Sequence, residues 1–498
     1  MKSPHTAAAL VTEVGASPRG VSTSRQRLAG IPEADRIPFN QKLAFAVGAC
    51  TPFLAVDLTI SAFWMPFFNI GLGISPLSLS AVLVVLRVWE AFGDPLVGNL
   101  SDNMRTRWGR RRPFMVGGAI FMAVFYLLIW HPPEGHNEYV MLAYLCGIGL
   151  LFSTSCTFWN MPFYAMQMEL TPNYDERTRL MAWTALFGKI SGLLGGWSMA
   201  FVTGSWFINS ATGKPDLVQG MQFFCWIVAG LILVFGLLPP LIGRERFYDK
   251  EVVRQTRDPF WASLKESFRN KPLWLLIGSS FFILLGTISV SSLGQYLNIY
   301  LVNEGDIAKA SIVTGWKSTV LVATGIACIP LWTWLAEKFD KRSIVIAMVV
   351  LSLLGHFSYL LCLRPDMPYL QLIPAVFEVG AVSAIWIFLP SMKADVADYD
   401  EARTNRRREG ALNAFFSWFI KVASTLALGL GGGVLQITGF DAKIQGQQPE
   451  VLQRMLLIFV ILPLVLWPIT LMFLWWYPLT RARMAEIRGQ LEARRGKI

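Results

Sequence analysis

Twelve blocks of mostly apolar residues, separated by polar or basic stretches, run through the 498-residue chain. Each is about 20 to 25 residues long, the length at which a helix crosses a hydrocarbon core of roughly 30 Å. Inside lipid only helices and closed barrels satisfy every backbone polar group, so such blocks leave little choice of fold. They fall near 44–69, 76–100, 113–131, 139–165, 179–203, 219–242, 273–301, 309–336, 343–363, 369–392, 410–438 and 453–477. With 54% of residues hydrophobic and 15% charged, a soluble domain is excluded. The first 40 residues are rich in Ser, Ala, Pro and Arg and hold no apolar run. No cleavable signal peptide is expected there, and the first span directs insertion. The six cysteines all lie inside apolar blocks without metal-ligand spacing, as small buried hydrophobes do.

The net charge of +11 could suggest nucleic acid, but the Lys and Arg residues are sorted by loop. They concentrate in the N-terminal segment, in alternate loops and in the C-terminal tail, while the intervening loops are nearly free of them. That alternation is the positive-inside pattern. It predicts an even number of spans with both termini cytoplasmic, in a bacterial inner (plasma) membrane, and no nucleic-acid partner. The expected organisation is a cytoplasmic segment 1–43, a six-helix bundle 44–242, a linker 243–272, a second six-helix bundle 273–477 and a cytoplasmic tail 478–498. The basic linker reads as amphipathic and surface-lying.

Two stretches mark a repeat. GNLSDNMRTRWGRRRPF (98–114) and WLAEKFDKRSIVI (334–346) each place an acid and then bases after the second helix of a half, as two parallel repeats would. Topological anchoring alone would account for most of these charges. The order Asp102, Arg105, Gly109, Arg110, Arg111 fits a cytoplasmic gate in which acid and base pair across helices and cap their ends.

Ionisable side chains in the hydrocarbon region cost roughly 2.5 kcal/mol or more each, so each needs a partner, a cavity or a task. Helix one carries Asp57, helix two Arg87, Glu90 and Asp94, and helix eleven Lys421. Arg87, Glu90 and Asp94 are spaced three and four apart and share one helix face. Two ionised carboxylates one turn apart repel, so the pair either shares a proton or takes up a small cation. Pro95 also frees a backbone carbonyl nearby. The plainer reading is a structural salt bridge locking helices together. Lys189, Lys317 and Glu378, in helices five, eight and ten, stand nearer to span ends and could instead snorkel to an interface.

The stretch RVWEAFGDPLVGNLSDNMRTRWGRRRPF resembles the helix-two signature of the glycoside-pentoside-hexuronide:cation symporters, the group of the melibiose permease within the major facilitator superfamily. NMPFYAM (160–166), SLKESFRNKPLW (263–274) and ADVADYDEARTNRRREG (394–410) resemble further family segments in the expected order. The resemblance implies an all-α membrane protein, twelve transmembrane helices in two six-helix bundles. It implies cation binding by Glu90 and Asp94 with Asn160, which stands where the melibiose permease has an acid. The lost negative charge shifts the expected coupling cation from Na+ toward H+. Sugar-binding positions carry over to Asp57, Asn160, Tyr164, Trp386, Ser417 and Lys421. Carboxylate, amide and hydroxyl groups bind sugar hydroxyls, and aromatic rings stack on an apolar sugar face. Arg87 completes the set, as does Lys189, one turn beyond Ala185, where the melibiose permease has an arginine.

The expected function is secondary active transport: symport of a glycoside, oligosaccharide or uronide with H+ or Na+ by alternating access, by a monomer without other cofactors. An amphipathic, lysolipid-like solute carried by the same fold is the rival reading. A membrane-embedded enzyme rests only on the acid-rich segment 394–402, which reads more simply as ion-pair partners of the basic run after it.

Overall fold

A computed structural model describes residues 36–495, except 105, 134, 136, 171–173, 211, 212, 214, 244–267, 405–408, 443 and 445. Most of the N-terminal segment, most of the linker and the gate residue Arg105 therefore lie outside the described residues, as does the side chain of Asp102. The first half comprises α1 (Phe39–Trp64, continuing to Gly71), α2 (Pro76–Asn103), α3 (Arg112–Trp130), α4 (Glu138–Glu169), α5 (Tyr174–Val202) and α6 (Leu217–Ile242). The second comprises α7 (Lys271–Val302), α8 in two pieces (Ile307–Ala327 and Ile329–Lys338), α9 (Lys341–Cys362), α10 (Pro368–Thr404), α11 (Glu409–Ile437) and α12 (Pro449–Trp475). A terminal helix, α13 (Arg481–Arg495), follows.

Among the described residues eleven helices are long and apolar enough to cross a membrane, and the two pieces of α8, bent by 41°, make a twelfth span. The sequence predicts an unbroken eighth helix. Pro330 at the start of the second piece lacks an N–H and its ring clashes with the preceding turn, which breaks the rod there. Elsewhere the chain starts its helices with side-chain caps. Asn137, Asp216, Asn270 and Asp306 each accept from backbone N–H groups of the next turn, at 3.0 Å, satisfying donors that the helix itself leaves free. The tail, expected only as a polar extension, is helical because Met484, Ile487 and Leu491 recur at helical spacing and bury against the second half.

Counting spans from the N-terminus puts both chain ends on one face of the bundle, here the terminal side; the opposite face is the far side. Hydrogen bonds between the halves gather at the far side. Tyr296 Oη donates to Asn69 Oδ1 at 2.6 Å, Gln295 Nε2 to the Ala62 carbonyl at 3.1 Å and Trp197 Nε1 to Thr319 Oγ1 at 3.0 Å. Thr203 and Ser311 share a hydroxyl contact of 2.9 Å, and Ser75 donates to Gln436 at 3.3 Å. One apolar core runs across both halves here, joining Phe63, Phe67 and Trp130 to Leu293, Tyr296, Phe440 and Phe459. On the terminal side, Lys42–Glu176 at 2.6 Å, Lys341–Asp395 at 2.6 Å and Asn270–Asp400 at 3.1 Å are polar contacts made within one half.

Two seams close the far side, α2 on α11 and α5 on α8. Both depend on glycine. A Cβ on Gly432 would sit 2.0 Å from Ser80 Oγ, and one on Gly196 would sit 2.2 Å from Ser318.

Candidate functional site

The midpoint of α2 falls at Glu90, with Asp94 one turn nearer the terminal side. Pro95 follows inside the helix without ending it. Alongside, α4 runs in the same direction in a fixed register, so rung after rung pairs residues 63 apart. Leu86 packs over Gly149, where a Cβ would lie 2.9 Å from the leucine. Ser153 Oγ donates to Glu90 Oε1 at 2.9 Å, and Thr157 Oγ1 donates to Asp94 Oδ1 at 3.0 Å. Both acids thus receive a hydroxyl hydrogen bond, which holds a carboxylate's oxygens in place.

Each acid also has an internal base. Arg87 Nη1 contacts Glu90 Oε2 at 2.8 Å within α2. Lys421 Nζ of α11 donates to Asp94 Oδ2, so this second pair crosses between the halves. It is the deepest rung of the α2–α11 seam, below Ser75–Gln436, Ser80–Gly432 and Val84–Gly429. At roughly 1.5 Å per residue, Asp94 stands about 14 Å from the terminal end of α2. A small cavity of about 30 Å³, lined by Arg87, Glu90, Ser153, Thr59 and Trp64 among others, adjoins the first pair. That leaves room for a water molecule or a small ion.

The remaining expected residues distribute unevenly. Asp57 ends a π-helical turn of α1, Phe53–Asp57, and lies within electrostatic range of Arg87 and Glu90. Tyr164 lies within range of Asp57 and Asp94. Ser417 is one turn before Lys421 on the same face of α11. Asn160 falls one rung beyond Asp94, opposite Val97, and its side chain makes no hydrogen bond to either acid. Lys189 reaches across to α8, its Nζ 3.5 Å from where a side chain on Gly325 would begin. Trp386 occupies the π-helical turn Ala384–Phe388 of α10 and is 75% exposed. Gly109 of the expected gate turns the chain at φ 103°, a region that favours glycine, and Arg110 and Arg111 after it are buried.

Sequence reasoning missed Ser153 and Thr157, whose only signal is a spacing of four that matches Glu90 and Asp94. It also set aside Lys317 and Glu378, which the structure places on the wall of a cavity between the halves. This space of about 440 Å³ is bounded by α1 and α5 on one side and α7, α8, α10 and α12 on the other.

Residues 44–481 match the family model described as MFS/sugar transport protein. An uncharacterized symporter of Synechocystis, sll1374, is 28% identical, the alignment covering 93% of this chain and 98% of that protein. A glucuronide carrier protein homolog of Escherichia coli is 24% identical over 91% of this chain and 93% of its own length. Among solved structures, the crystal structure of a D-xylose-proton symporter superposes with a TM-score of 0.61 at 15% identity, covering 86% of this chain and 97% of that one.

Proposed function

Since the chain belongs to the MFS/sugar transport protein family, we propose that it carries a glycoside or uronide across the membrane together with a cation bound at Glu90 and Asp94. The observation that carries this reading is the paired site itself. Two carboxylates one turn apart each hold a hydroxyl donor from α4 and an internal base. One of those bases comes from the opposite half.

In this state Lys421 occupies the place at Asp94 that a coupling cation would take. A metal ion or a proton arriving at Asp94 displaces the ammonium, since a neutralised carboxylate no longer holds it. The freed Lys421, with Ser417 one turn away and Asp57 and Tyr164 within electrostatic range of the acids, then offers hydrogen bonds to solute hydroxyls or to a solute carboxylate, and Lys189 is assigned to the same set. Cation and solute thereby raise each other's affinity, as linkage requires. Asn160, Arg87 and Trp386 complete the solute and cation set that we assign. The missing third acid at Asn160 favours H+ over Na+.

The basic loops on the terminal side, Arg107 and Arg110 to Arg112 among them, support a cytoplasmic placement of that side in a bacterial plasma membrane. The far side, where hydrogen bonds and an apolar core join both halves, is then the outer face. Asp102, Arg105, Gly109, Arg110 and Arg111 form the gate that we assign to the opposite, outward-open state.

Uptake into proteoliposomes of a panel of glycosides and uronides, under separately imposed sodium and proton gradients, tests the reading. Asp94→Asn is expected to abolish cation-driven accumulation while leaving solute exchange measurable. Unchanged accumulation in that variant rejects the site. Competition by lysolipids in place of glycosides would move the solute class.

A further inference from the structure

The second bundle holds a group of ionisable side chains that the acid pair does not use. His356 of α9, 1% exposed, places Nε2 at 2.9 Å from the Phe459 carbonyl of α12. A carbonyl oxygen only accepts, so Nε2 carries a hydrogen. The other ring nitrogen, Nδ1, lies 3.4 Å from Glu378 Oε1 of α10. An ionised carboxylate also only accepts, and a neutral imidazole with hydrogen on Nε2 offers it a lone pair. The contact therefore requires one proton, either on Nδ1 or on Oε1.

The surrounding groups are consistent with a single exchangeable proton. Glu378 Oε2 accepts from Tyr359 Oη at 3.2 Å and lies 3.7 Å from Lys317 Nζ of α8, which in turn contacts Tyr359 Oη. Lys317 balances one negative charge, so the proton decides whether the cluster is neutral or positive. From α12 the described residues bring the Phe459 carbonyl and the rings of Phe459 and Trp467. Cys362, one turn from Tyr359 on α9, and the neutral Asn298 and Gln371 stand nearby. His356, Lys317 and Glu378 all line the cavity of about 440 Å³ between the halves. Lys317 also sits in the α5–α8 seam, flanked by Trp316, which meets Trp197, and by Ser318, which meets Gly196.

We propose that His356 and Glu378 form a second proton-binding site, in the opposite bundle from Glu90 and Asp94 and loaded from water in the cavity. The proton goes to His356 Nδ1: it leaves a water-borne donor and forms one N–H bond, and nothing else changes covalently. Glu378 lies ten residues into α10 from the far side, about 15 Å, against about 21 Å for Glu90 along α2. A proton from the outer face meets it first once the seam parts. Protonation weakens the hold of Glu378 on Lys317, leaving that ammonium free in the cavity for an anionic group.

The chain has four histidines, so 15N-histidine labelling of the full protein in lipid nanodiscs reads this site directly, with His356→Gln to assign the resonance. Nδ1 of His356 is expected to change protonation between about pH 5 and about pH 9. The midpoint is expected to move by about one pH unit or more in Glu378→Gln and to stay in place in Asp94→Asn, so the result does not depend on the acid pair. A His356 that holds one protonation state over that range, or a midpoint indifferent to Glu378→Gln, overturns the proposal. Retention of the wild-type melting temperature by Glu378→Gln separates lost titration from lost folding.

Discussion

Replacing Lys421 with glutamine removes the internal cation from Asp94 while keeping a neutral donor of similar length. The pair is partly solvated, with side-chain exposures of 40% for Lys421 and 16% for Asp94. A hydrogen bond to a charged group contributes about 1.5–3 kcal/mol, and this degree of exposure selects the lower end. An incoming cation must displace that interaction in the wild type and need not do so in the variant. At about 1.4 kcal/mol per factor of ten, cation affinity is expected to rise about tenfold in Lys421→Gln. Calorimetric titration of the purified protein with sodium chloride at constant ionic strength measures it for a metal ion. The pH midpoint of solute binding measures the same competition for a proton. Solute affinity should fall in parallel, because the released ammonium is the group offered to the solute. If neither cation readout moves by more than about threefold, Lys421 is not a competitor at Asp94, and the pairing between the halves is structural only.

Three further outcomes follow from the same geometry. Thr157→Val removes the hydroxyl donor of Asp94 and is expected to weaken cation binding about tenfold, whereas Thr157→Ser restores it; the same calorimetry decides. Gly432→Val drives a side chain into Ser80 and should prise open the α2–α11 seam, lengthening the distance between spin labels placed at Leu72 and Ile437; an unchanged distance distribution refutes the seam as the far-side closure. Burial of Glu176 raises its pKa, but its bonds to Lys42, the Ile37 N–H and Arg179 outweigh that and hold it below the ordinary value of 4.5. Its contribution to stability is thus full above the unfolded pKa and lost as pH falls through the folded one. Glu176→Gln should lower the melting temperature at neutral pH by several degrees and flatten its decline below about pH 4.5; a wild-type acid limb in that variant sinks the assignment.

The spans were legible because lipid imposes a length and a composition that no loop can mimic. Glu90, Asp94 and Arg87 were legible as one face because helical spacing is fixed, and Lys421 because a lone ammonium in hydrocarbon demands a partner. Ser153 and Thr157 were not, since a hydroxyl can bond its own helix: Thr154 does so, donating to the Leu150 carbonyl at 2.7 Å. Only the register of α4 against α2 separates the two uses. Lys317, His356, Tyr359 and Glu378 come from three different spans, and no periodicity within one helix announces their meeting. The bend of α8 was hidden for a different reason. Its apolar pattern continues through Pro330, and hydropathy carries no record of a missing N–H.

The acids and their hydroxyl donors ride on α2 and α4, within one bundle, while Lys421 rides on α11 in the other. A carrier must return empty after each delivery, and a vacant pair of carboxylates would be expensive to carry through the occluded intermediate. If Glu90 and Asp94 hold the coupling cation as proposed, Lys421 supplies a tethered surrogate for the missing ion, available only when the bundles meet along this seam. A protein holding the cation without solute has displaced that surrogate and left its ammonium unpaired, so it lacks the neutral, sealed crossing open to the empty form. On that reading, slippage of the ion down its gradient is opposed by the same contact that lets the vacant transporter reset.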